Sequence, residues 1–119
     1  MAPPTPRDPL LQGTLDMLIL RTLQRHDRAH GHDIARAIHD ATREVLRLEH
    51  GSLYPALHRL EHKGLIAGRW ERHPERNREF KYYRLTAAGR RRLGVEASRW
   101  ERLAAAVNLV MHPSRAEET

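Results

Sequence analysis

The residue type with chemical reach that this chain carries in excess is histidine, nine in 119 positions. His58 and His62 are spaced four apart, a chelating interval on a helix, and His26, His30 and His32 lie close together in the chain. There is no cysteine to complete a zinc set, and no glutamate follows His58 as a zinc-hydrolase helix requires. No metal site and no cofactor are expected. Catalysis is not expected either, because a glycine-rich phosphate loop, a nucleophile elbow and a spaced carboxylate pair are all missing. What remains is recognition chemistry. Ser52, Tyr54, Pro55, His58 and Arg59 make one small, polar and basic cluster, and Arg72, Arg76, Arg78 and Lys81 make a second. Hydroxyls, imidazoles and guanidinium groups of this kind suit phosphate oxygens and base edges.

The charge distribution supports a polyanionic partner. The net charge is +6, yet residues 1–50 are neutral, with seven basic and seven acidic side chains. Residues 51–85 carry +4 and residues 86–111 carry +3, while the last eight carry −1. A generally basic surface has no such onset; an electrostatic footprint on duplex DNA does.

The elements that must position these groups follow from local pattern. Leu53, Leu57 and Leu60, with Ala56 beside them, form one apolar stripe of a helix that begins near Ser52 and stops at Gly64. Ser52 is expected as its N-cap, with Pro55 in the first turn. Pro55, His58, Arg59 and His62 then point away from the stripe, with Tyr54 on its flank. Such a helix has the size that enters a major groove. A solvated surface face is the plainer account of the same helix. The charge onset beside it favours the groove.

Before this helix the pattern predicts an unstructured arm over 1–9, a helix from about Thr14 to His26, a turn over Asp27–Gly31 and a second helix from about His32 to Glu44. Ile34, Ile38, Ala41 and Val45 would form the core stripe of that second helix. After it, Leu65–Arg72 and Glu79–Leu85 read as two strands joined by a polar, basic tip, and Trp70 within them reads as a packing residue. Thr86 caps a long helix to about Met111, and a flexible tail over 112–119 closes the chain. In that helix Leu93, Trp100 and Val107 recur at sevens, with Leu103 adjoining, as in helices that pair lengthwise. Met17 and Leu20 give the first helix a second apolar face. Together these residues predict a homodimer interface. The order is that of a winged helix-turn-helix over 10–86 followed by a dimerisation helix over 87–111, a mainly α fold with a small β-hairpin.

The chain resembles the PadR-type transcriptional regulators, in the branch with a single C-terminal helix. The resemblance is carried by Leu15-Asp16-Met17-Leu18-Ile19-Leu20, His30-Gly31-His32-Asp33-Ile34, Gly51 through Glu61, Gly64-Leu65-Ile66 and Lys81 through Gly89. It departs where the family usually has His-Gly-Tyr and this chain has His30-Gly31-His32. The resemblance implies a sequence-specific DNA-binding repressor acting as a homodimer on an inverted repeat. It also implies a role for Trp100: a tryptophan at that point lines an intersubunit cavity for flat aromatic ligands in some members. Interface packing alone is the other reading of Trp100. A helical protein-interaction module without specific DNA binding would account for the seam and the two-faced first helix, but not for the charge onset at residue 51. The longest apolar run, Met17–Leu20, is far too short to span a membrane, and no secretory signal is evident. The expected location is the cytoplasm.

Overall fold

Apolar residues recurring at three- and four-residue intervals, broken at glycine and threonine, divide the chain into α1 (Pro9–Arg25), β1 (Ala29–His30), α2 (Gly31–Ala41), α3 (His50–His62), β2 (Ile66–Arg72), β3 (Glu79–Leu85) and α4 (Ala87–Met111). The computed structural model describes residues 9–113, with side chains from Gly13 onward. The arm expected over 1–9 therefore lies outside the described residues except for Pro9. That residue opens α1 five positions earlier than Thr14; proline is favoured at the first position of a helix.

The three strands form one antiparallel sheet in the order β1-β3-β2. β2 and β3 pair without a bulge from Ile66↔Leu85 to Arg72↔Glu79. The expected turn over Asp27–Gly31 instead contains β1, where Ala29 and His30 pair with Tyr83 and Tyr82. Two residues are too few to announce a strand by alternation.

The core is built by Leu15, Ile19 and Leu23 of α1, Ile34 and Ile38 of α2, the stripe of α3, Ile66 and Tyr83. Leu20 belongs to it too, at 1% exposure, and so does Leu93 at 2%. Both were expected at a subunit interface, and both are buried within the protomer. Within the chain α1 and α4 pack on one another. α2 also differs from its expected extent. Thr42 breaks it, its hydroxyl donating to the His39 carbonyl and accepting from the Leu46 N–H, each at 3.1 Å. Arg43 and Glu44 then adopt left-handed backbone, and Val45 is turned out to solvent, with Ala41 also exposed.

The end of α3 and the start of α4 are locked together. Gly64 takes a φ of +73°, and the Leu65 N–H donates back to the Leu60 carbonyl at 3.0 Å, a helix stop that needs the missing side chain. Thr86 caps α4 as expected, accepting from the Gly89 N–H at 3.0 Å, and its hydroxyl donates to the Gly64 carbonyl at 2.7 Å. Gly89 rests on the backbone of Leu65 so closely that a Cβ would stand 2.0 Å from the Leu65 carbonyl oxygen.

At the other end of the domain His30 caps α2. Its Nδ1 accepts from the Asp33 N–H at 3.4 Å, its Nε2 lies 3.2 Å from the Asp33 carboxylate, and its ring stacks on Phe80 at 4.8 Å. Burial holds this imidazole below its ordinary value, against the pull of Asp33, with His32, Arg76 and His73 acting in the same direction as burial.

Two outcomes follow from these contacts. Gly89→Ala should cost at least about 2 kcal/mol in urea denaturation, as overpacking against rigid backbone does, whereas Gly94→Ala, with nothing within 4 Å, should be neutral or stabilising. Equal midpoints for the two variants would contradict the junction described above. The folded state prefers neutral His30, so its contribution to stability is complete above about pH 6.5 and declines as the pH falls below that value. His30→Asn, which caps but cannot charge, should flatten the acid-side fall of the denaturation midpoint. An unchanged slope would show that His30 does not govern it.

Candidate nucleic-acid interface

α3 is held by one side. Leu53, Ala56, Leu57 and Leu60 are fully buried, while Gly51, Tyr54, Pro55, His58 and His62 are exposed. Of the residues expected on the outer face, Pro55 and His58 lie at its centre together with Gly51 and His62, and Tyr54 lies on its edge. Ser52 does not cap the helix. Glu49 is the N-cap residue and makes no side-chain cap bond, so α3 starts three residues earlier than expected and Ser52 sits half-buried inside its first turn. Pro55 consequently falls within the helix, where it offers no N–H to the Gly51 carbonyl.

The two edges of the face are fixed by different neighbours. Tyr54 meets the His50 ring edge-on at 5.5 Å and covers Gly31, where a Cβ would come within 2.9 Å of its ring and hydroxyl. Gly31 of the His30-Gly31-His32 segment thus leaves the space that the ring of Tyr54 occupies. On the opposite edge Arg59 does not project freely. Its Nη2 donates to Asp16 Oδ1 of α1 at 2.8 Å. Burial pushes the Asp16 carboxyl above its ordinary value, with the Arg59 guanidinium pulling the other way. Arg59 was expected to be a groove contact; in this structure it fastens α3 to α1.

The hairpin of β2 and β3 carries the second cluster. Lys81 is likewise engaged, its Nζ donating to Glu61 Oε1 at 2.8 Å while Glu61 Oε2 accepts from the Gly68 N–H at 3.1 Å. That bond holds the Glu61 carboxyl below and the Lys81 ammonium above their ordinary values. Arg72 donates to the Asn77 side chain across the hairpin end, and Arg78 lies over the Phe80 ring at 4.9 Å. Arg76 extends from the tip with no ion pair among the described residues. Sequence reasoning missed the far side of the sheet, where Glu71 binds Arg28 and Arg84 and Arg28 lies over Tyr82 at 4.3 Å. Its only signal was that residues two apart on neighbouring strands share a face. Trp70, expected to pack, is 63% exposed.

Away from this surface the sevenfold stripe of α4 stays exposed. Trp100, Leu103 and Val107 are about half exposed, and Val110 and Met111 more so. Met17 of α1 meets this seam in a groove of about 180 Å³ lined also by Gly13, Thr14, Glu96, Arg99, Trp100 and Leu103. Among the described residues no cluster of side chains could hold a metal ion, and no helix is long and apolar enough to cross a membrane.

Three comparisons bear on this arrangement. Residues 19–95 match the family model of the PadR-like transcriptional regulators. A PadR family transcriptional regulator from Eggerthella lenta is 32% identical, with a TM-score of 0.72 over 87% of this chain and 86% of that one. A transcriptional regulator from Clostridium thermocellum is 27% identical, with a TM-score of 0.75 over 83% and 94% of the two chains. An uncharacterised protein of Lysinibacillus sphaericus is 29% identical over 105 residues, covering 88% of this chain and 94% of its own. The protein is a DNA-binding regulator and not an enzyme, and the chain belongs to the PadR-like family of transcriptional regulators.

Proposed function

We propose that the protein is a homodimeric repressor that reads an inverted repeat in duplex DNA inside the cell. The observation that carries this reading is the one-sided burial of α3, which leaves Gly51, Tyr54, Pro55, His58 and His62 outward beside a basic hairpin. In this reading the N-terminal half of α3 lies deepest in the major groove, with Ser52 at its margin. Arg72, Arg76 and Arg78 meet phosphates or the minor groove flank. Arg59 and Lys81 set the angle of helix and hairpin through Asp16 and Glu61, and reach DNA only from those anchored positions.

Dimerisation is supported by the bare seam of α4. Trp100, Leu103, Val107, Val110 and Met111 form a stripe that a second copy would bury, with Met17 at its edge. A twofold dimer would place two α3 helices roughly 34 Å apart, one turn of B-DNA. Trp100 also suits a planar aromatic effector. The groove beside it is of the order of a cavity that holds one benzene ring, about 150 Å³, and stacking on an indole favours flat apolar molecules. Such a ligand, wedged at the seam, would change the separation of the two α3 helices and with it operator affinity.

Selection of genomic fragments by the purified protein tests the DNA reading. The expected outcome is enrichment of a sequence with twofold symmetry; recovery without any shared sequence would contradict specific recognition. On the recovered duplex, Arg76→Ala and Arg78→Ala should each lower the slope of log affinity against log salt by about one. An unchanged slope would remove the hairpin from the interface. For the effector, planar dyes should quench the wild type more than the Trp100→Phe variant, and equal quenching would leave Trp100 as a packing residue.

A further inference from the structure

We propose that Trp70 contacts DNA, laying its indole against the sugar–phosphate backbone beside the groove that α3 enters. The inference rests on the DNA-binding reading above and adds an uncharged, aromatic contact to it. Side chains alternate along a strand, so Gly68, Trp70 and Arg72 share one face of β2. That face is the one turned toward α3: a Cβ on Gly68 would stand 2.8 Å from Glu61 Oε2 and 3.0 Å from the Tyr83 ring. Tyr83, opposite Gly68, is buried there, whereas Trp70, two pairs farther toward the tip and opposite Lys81, is 63% exposed. The chain thus places its largest apolar side chain where the cover given by α3 runs out, between the outer face of that helix and the arginines of the hairpin.

A single exposed tryptophan needs no explanation by itself. Its neighbours supply one. Arg72 follows on the same face with Glu79 opposite it, Lys81, paired with Glu61, is directly opposite Trp70, and the exposed Arg69 precedes it on the other face of the strand. A protein partner would favour an apolar surround, and the apolar surface of this chain lies instead along α4. The hairpin that carries Trp70 has six basic side chains against three acidic ones over residues 66–85, and such an excess fits a polyanion. Indole suits the flank of a DNA groove because its ring covers deoxyribose while Nε1–H donates to a phosphate oxygen. Cations alone hold the backbone at any register; a rigid ring with one donor fixes how far the hairpin sits from it.

The two tryptophans allow a direct test. In a Trp100→Phe background all indole emission comes from Trp70, and titration with a selected duplex should change its intensity or wavelength at saturation. Trp70→Ala should weaken binding roughly tenfold, the effect of one aromatic contact, while leaving the salt slope unchanged because no charge is removed. Trp70→Phe should recover part of the loss, which also guards against an alanine variant that fails to fold. Emission that stays constant while the duplex binds, or an alanine variant that binds like its parent, would overturn the assignment. So would a Trp70→Ala variant whose defect is in sedimentation as a dimer. If the parent protein bound no duplex, the DNA reading would fall, and this inference with it.

Discussion

Everything that faces outward from this domain depends on how α3 is seated. Four apolar side chains, Leu53, Ala56, Leu57 and Leu60, are driven fully out of water against α1, α2 and the base of the hairpin. Their burial is worth roughly 1.5–3 kcal/mol for each leucine, so rotation of α3 about its axis is closed to it. The opposite side must then face solvent. The polar anchors refine this position. Arg59 on Asp16 and Glu61 with Lys81 and Gly68 hold the two edges of the helix, and Tyr54 closes over Gly31. These partly exposed pairs contribute little stability individually. Their effect is geometric, because each ties α3 to a different neighbour.

The same seating connects α3 to α4. Gly64, which ends α3, is bonded to Thr86, which begins α4, and Gly89 sits on Leu65 with no space between them. The start of α4 therefore meets the end of α3 through one short hydroxyl bond and a direct backbone-to-backbone contact. In the proposed dimer such a junction would couple an event at the α4 seam to the spacing of the two α3 helices.

Much of this was legible in the sequence. The apolar stripe of α3, the stop at Gly64, the hairpin strands and the Thr86 cap follow from periodicity and turn chemistry, which act over a few residues. The failures share a different cause. Ser52 is a good cap by type, yet α3 starts at His50, because helix starts depend on what the preceding segment packs against. Leu20 and Leu93 carry an apolar pattern that cannot state which helix will cover it; both are buried in a chain whose α1 and α4 pack on one another. Arg59 and Lys81 look like free cations until distant Asp16 and Glu61 are brought beside them. β1 exists only as the partner of β3. Local rules fixed the elements; contacts between residues far apart in the chain decided which charges remain available.

The central claim is that the outer face of α3 and the hairpin form the DNA surface, with the α4 seam turned to the second subunit. Amide chemical shifts of the 15N-labelled protein, followed during titration with a duplex recovered by selection, test it most directly. The account predicts that the largest changes fall at Gly51, Tyr54, His58 and His62 and across residues 70–78, with much smaller ones along residues 103–111. Changes concentrated along α4, with the outer face of α3 silent, would contradict it.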